Sequence, residues 1–290
     1  MWESMTFLLR LSLYLALSGL VASSLSLLIS HKLDVRLSKA FSISLKGYFK
    51  ISLLTYFISS LGYFWIRVGA FAEEGVQGLF DPLMISILYD SGLGKALNAS
   101  LVASLFAVLF YAASLFIKLT WLSFSLCLAM LVSIAFSFSF TGHMADVSLI
   151  EKSLLSLHIL IAFLWLGSLY PLLRFVQLEG ITLSQKLLEV FGFYGRFFVP
   201  LLLIAGLGLS YFITGFELAL LMTPWGGVLL FKLVMVSAIL ALAAWHKYRL
   251  VPSLLENNGA SKMQRSLIWE SALGVGILAL SAVLSTLLSP

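Results

Sequence analysis

The sequence predicts an all-α fold: a polytopic membrane bundle of about eight transmembrane helices with both termini extracytoplasmic. Three observations carry it. Of 290 residues, 61% are hydrophobic and only 11% charged, whereas a soluble domain carries about 25% charged residues and needs them to cover a globule facing water. The apolar residues gather in runs of roughly 20, the length that crosses about 30 Å of hydrocarbon at helical rise. The basic residues gather in alternate connections, as retention of Lys and Arg on the cytoplasmic side demands.

The first span, 5–30, follows the acidic Met1-Trp2-Glu3-Ser4. It is too long for the apolar core of a cleavable signal and lacks a basic leader, so it reads as a retained span. The second covers 48–72. After it, Asp81-Pro82 opens an apolar stretch at 82–90, too short to cross and read as an interfacial helix. The next apolar stretch is broken mainly by Lys118, giving spans at 96–117 and 119–140 joined by a tight turn. Spans at 153–175, 192–214, 226–246 and 266–288 complete the bundle, one transmembrane domain over 1–290 with no soluble domain. Gly206 and Gly208 lie inside an apolar span, where small residues serve close helix packing rather than a phosphate loop. Pro171, Pro200, Trp165, Gly192 and Gly195 read as residues that shape helices.

Charge then orients the bundle. The odd connections hold Lys32, Arg36, Lys39, Lys46, Lys50, Lys118, Arg174, Lys186, Arg196, Lys247, Arg249, Lys262 and Arg265. The even ones hold Glu73, Glu74, Asp81, Asp90, Asp146, Glu151 and Glu217 against Lys95 and Lys152. The formal net charge of +5 is therefore a topological signal, spread over loops, and not a nucleic-acid-binding stripe. The single cysteine, Cys127, excludes an internal disulfide and a Cys-rich cluster, and reads as a small buried hydrophobe. No nucleotide-binding or metalloprotease motif is present, and the expectation is a membrane protein that is not an enzyme.

Ionisable groups at membrane depth are costly, which makes each a functional candidate. His143 ends the fourth span, beside Met144, and His158 lies about one turn inside the fifth; both fall in the outer leaflet. Met84 and Met222 lie in or near the other outer connections. Imidazole accepts copper in either oxidation state and thioether prefers Cu(I), so an outer copper site of His143, His158 and one or more of Met144, Met84 and Met222 is chemically sensible. The competing reading is a solvated His143 and a His158 bonded to a backbone carbonyl. His31 and His246 sit at inner helix ends, where solvation is the simpler role. Arg10, Arg67 and Lys232 share one depth below the outer boundary. Acidic loop residues, a bound anion such as a haem propionate, or snorkelling to the interface would each account for them. Glu270 lies near the inner end of the last span, with Arg265 or Arg249 as its expected partner.

Three segments resemble the copper resistance protein D family of integral membrane proteins. They are Leu157-His158-Ile159-Leu160 running to Trp165-Leu166-Gly167-Ser168-Leu169-Tyr170-Pro171; Gly226-Gly227-Val228-Leu229-Leu230-Phe231-Lys232 leading to Arg249-Leu250-Val251-Pro252; and Arg265 through Glu270. The resemblance implies a plasma-membrane protein that moves copper, with His143 and His158 as the matching outer histidines and Lys232 as a family feature. It also implies a separate extracytoplasmic carrier of the CopC kind, since no such β-domain is expected within this chain. His246 stands where the family commonly has Asn. The expected function is copper import from the extracytoplasmic side. A membrane redox protein holding b-type haem, with Arg10, Arg67 and Lys232 on its propionates, and a non-transporting scaffold that docks a copper carrier are the alternatives.

Overall fold

The computed structural model describes residues 1–32, 37–116, 121–140, 147–215 and 217–288. Among them the regular structure is helical: α1 (Trp2–Lys32), α2 (Lys39–Ala72), α3 (Pro82–Asp90), α4 (Gly92–Phe116), α5 (Trp121–Ser139), α6 (Leu149–Leu178), α7 (Ile181–Thr214), α8 (Pro224–Trp245) and α9 (Gly259–Thr286). All but α3 are long and apolar enough to cross a membrane, giving the eight spans that hydropathy predicts. The expected interfacial helix at 82–90 is α3, opened by Asp81, whose side chain accepts the Met84 N–H, with Pro82 in its first turn.

Three helices start earlier than their apolar runs suggest. α2 begins at Lys39 rather than 48, α7 at Ile181 rather than 192, and α9 at Gly259 rather than 266. Apolarity marks only the part of a helix that suits lipid, and the helix can run on beyond it. Ser38 caps α2 by accepting the Phe41 N–H at 3.1 Å. Each added segment carries cations, among them Lys39 and Lys46, Lys186, and Lys262 with Arg265, so these helices continue beyond their apolar parts at the basic end.

α1 is the most buried span and the centre of the bundle, packed by α2, α6, α9 and α5. Its Leu17, Leu20 and Val21 join Phe49, Tyr56, Phe110, Met130 and Ile134 in the main core. α1 and α6 approach closely at Gly167, where a Cβ would collide with the Ser18 carbonyl. Pro171 lacks the N–H that would serve the Gly167 carbonyl one turn earlier, and the Tyr48 hydroxyl of α2 donates to that oxygen at 3.2 Å. The carbonyl that a mid-helix proline leaves without its helical partner thereby ties α6 to α2.

Contacts between connections order the two ends of the bundle. The Ser38 N–H donates to Glu179 Oε1 at 2.9 Å, joining the connections before α2 and before α7. At the opposite end, Gly92 lies against the Phe140 carbonyl, and Tyr14 of α1 meets Ser285 of α9 at 3.1 Å. α7 packs mainly on α6, and α8, the least buried span, mainly on α9.

Candidate metal centre

His158 stands in α6, half-buried, and its Nδ1 lies 3.2 Å from the Leu202 carbonyl of α7. A carbonyl only accepts, so Nδ1 carries the proton and neutral imidazole keeps Nε2 as a free lone pair. Metal-bound histidines are commonly oriented this way, with the second nitrogen donating to a carbonyl that fixes ring and tautomer. The carbonyl-bonded state and the ligand role are therefore compatible for this residue. The room for the ring comes from Gly206: a methyl there would stand 3.0 Å from His158 Cε1. Gly208 likewise faces Leu154, whose Cδ1 would lie 3.2 Å from an added Cβ. Both glycines serve helix packing, as their place in an apolar span suggests. Lys232 of α8, half-buried, is an electrostatic neighbour of His158.

The other proposed ligands are placed as follows. His143 and Met144 lie outside the described residues, as does the His31 side chain. Met84 is half-buried in α3 and packs on the small core of Phe64, Val68 and Leu88. Met222 closes a short turn, Leu218–Met222, that packs on α8 and leaves its side chain 92% exposed. Among the described residues no cluster of three or more His, Cys, Asp or Glu side chains is poised for a metal. Cys127 is buried on α5 with 2% exposure, the small-hydrophobe role expected of it.

The three cations expected at one depth, Arg10, Arg67 and Lys232, differ in their surroundings. Arg10 donates from Nε to the Tyr14 hydroxyl at 3.0 Å, and its guanidinium carbon lies 5.2, 5.2 and 5.5 Å from the ring centres of Tyr14, Tyr63 and Phe138. Ring faces, whose quadrupoles attract cations, do the work that sequence reasoning assigned to a carboxylate, an anion or the interface. Arg67 rests on Phe71 at 4.9 Å. Among the described residues no Asp or Glu pairs with Arg10, Arg67 or Lys232.

The end of the bundle where α8 passes into α9 holds a network that the sequence did not reveal. Glu270, 2% exposed, meets His246 Nδ1 at 3.0 Å through Oε2 and accepts the Trp165 indole N–H at 3.1 Å through Oε1. His246 Nε2 meets Ser266 Oγ at 2.6 Å. The expected partners, Arg265 and Arg249, are exposed instead; Arg265 precedes Glu270 by five residues and so points to another side of α9. His246, expected to be solvated, is 9% exposed. It opens a π-helical turn, His246–Leu250, that extends α8 and carries the ring toward α9. Hydropathy gives no warning of such a turn, although π-turns recur at functional sites. Trp165, expected only to shape α6, is the third member of this network.

His158 and Trp165 lie two turns apart on nearly one face of α6, about 10 Å along its axis. The His158 imidazole thus shares a stripe of α6 with Trp165, whose indole donates to the Glu270 carboxylate of α9.

Eight apolar spans, a half-buried histidine whose Nε2 has no partner among the described residues, and a buried carboxylate network define a polytopic helical membrane protein with ionisable groups inside its bundle. Residues 185–284 match the family described as CopD, copper resistance protein D. A stretch of 139 residues is 31% identical to the inner membrane protein YebZ of Escherichia coli strain K12, covering 46% of this chain and 47% of that relative. The chain thus spans about half the length of the curated relative it matches. The family match, over residues 185–284, agrees with the resemblance that the sequence carries. The family match takes in Lys232, His246 and Glu270 and ends short of His143 and His158. No solved structure matches the chain.

Proposed function

We propose that the protein moves copper across the plasma membrane, taking it from the extracytoplasmic side at His158 with His143 and methionine sulfur, and passing it inward along α6 toward Glu270. The observation that carries the reading is the His158–Leu202 bond at 3.2 Å, which orients a neutral imidazole and leaves Nε2 available to a soft cation. The family match supports copper as the cargo, and the inner-membrane relative supports the location. Two turns along α6 from His158, Trp165 donates to the Glu270 carboxylate of α9, which supplies acidic character beside that stripe. An inside-negative potential of 100 mV favours inward movement of a monovalent ion by about 2.3 kcal/mol, a bias that needs no nucleotide site. A separate extracytoplasmic copper carrier is the partner this reading calls for.

The test is radioactive copper uptake into proteoliposomes. Wild-type protein is expected to load copper faster than His158→Ala; equal rates in the two would end the reading. The haem alternative lacks support at the inner end, where His246 commits both ring nitrogens, to Glu270 and to Ser266. A carrier-docking scaffold would bind copper without loading vesicles, which the same assay detects.

A further inference from the structure

Beyond copper movement, the structure assigns a second ligand to this chain: we propose that the groove between the end of α8 and the start of α9 holds the headgroup of an anionic phospholipid. The groove has a volume of about 790 Å³, within the range of small-molecule sites. Arg249, Lys262 and Arg265 line it and Glu256 is its only acidic group, so its balance is positive. All three cations are exposed, and among the described residues none has a carboxylate within ion-pair reach. Among the described residues they are charges without a counter-ion.

The rest of the lining identifies the source of the anion. Trp245 and Trp269, exposed by 55% and 70%, and Tyr248, exposed by 70%, stand beside the cations. Amphipathic rings of this kind sit at headgroup level in membranes. The lining runs from Trp245 at the end of α8 through Pro252 and Ser253 to Lys262, Arg265 and Trp269 of α9. A ligand that fits has an anionic head and an apolar tail, as a phospholipid has, and basic pockets between spans are known to take such heads. A free phosphate satisfies the cations but leaves the aromatic rim without an occupant. The groove also shares a wall with the inner network, because Ser266 lines it and meets His246 at 2.6 Å. Lipid occupancy therefore bears on the end of the proposed copper route, although the lipid site stands without that route.

Thermal unfolding and lipid titration of the full-length protein in neutral detergent test the proposal, with phosphatidylglycerol, phosphatidylcholine and inorganic phosphate as separate additions. Phosphatidylglycerol is expected to raise the wild-type midpoint, while phosphatidylcholine and phosphate leave it in place. In Lys262→Gln/Arg265→Gln, two exposed substitutions that should not disturb folding, the apparent affinity for phosphatidylglycerol should fall by about tenfold or more. Equal phosphatidylglycerol affinity in wild type and variant overturns the site. A phosphate effect as large as that of phosphatidylglycerol overturns the lipid assignment in favour of a soluble anion. Copper uptake plays no part in this readout, so failure of the transport reading leaves it unaffected.

Discussion

The imidazole of His246 lies 3.0 Å from the Glu270 carboxylate, and the two residues come from different spans joined by a π-turn and a short 3-10 turn. The pair fastens α8, which has few other buried contacts, to α9, and through Trp165 to α6. Removing one member of a buried pair strands the other without water, a loss of about 3 kcal/mol or more. Glu270→Ala is therefore expected to unfold markedly earlier than wild type on heating in detergent. Glu270→Gln, which keeps an acceptor for the Trp165 indole, should lose less. Equal midpoints for all three proteins would show that the network carries no stability.

Gly206 offers a route to the copper site without touching a ligand. Gly206→Val places carbon against the His158 ring, which already has only 3.0 Å to an added Cβ. The substitution should disturb the Leu202 bond and lower vesicle copper uptake toward the level of His158→Ala, with folding preserved. Uptake at the wild-type rate in Gly206→Val would mean that the orientation of His158 is immaterial.

The Pro171–Gly167–Tyr48 arrangement predicts a thermodynamic coupling. Tyr48→Phe leaves the Gly167 carbonyl unpaired and should cost about 1 kcal/mol. In a Pro171→Ala background the helix supplies its own N–H to that carbonyl, and the same change should cost much less. A double-mutant cycle on thermal unfolding reads the difference; strict additivity would refute the link.

Topology is checked with introduced thiols, since Cys127 is buried and should not react. Glu74→Cys in an even connection and Asn257→Cys in an odd one are both at exposed positions. A membrane-impermeant maleimide applied to intact cells is expected to label the first and spare the second. The reverse pattern would invert the bundle.

Absorption spectroscopy separates copper from haem. Purified protein should show no Soret band, and a stoichiometric one would replace the transport reading with a redox one.

The spans were legible because lipid imposes a length and a composition that few other environments tolerate. α3 was legible down to its bounds, since Asp81-Pro82 is both a cap and a helix start. The early starts of α2, α7 and α9 were not, because cationic turns beyond the apolar runs remain helical, and of the three only α2 has a capping side chain, Ser38, to mark where it begins. At the site, His158 and its glycine were visible in one dimension, whereas its Leu202 partner needed the packing of α7 on α6. The Glu270 partnership was misread because proximity in sequence favoured Arg265, while the π-turn brought His246 across from another span. Arg10 misled for a related reason: pairing rules seek carboxylates, and the cage of Tyr14, Tyr63 and Phe138 is assembled from three helices.

The uneven burial of the spans divides the labour of any motion. α1 is gripped from several directions, so displacing it would tear open the main core. α8 rests chiefly on a single seam with α9, and swinging it aside would disturb little beyond that seam. Any such displacement would have to break the contact of His246 with Glu270 or pivot about it.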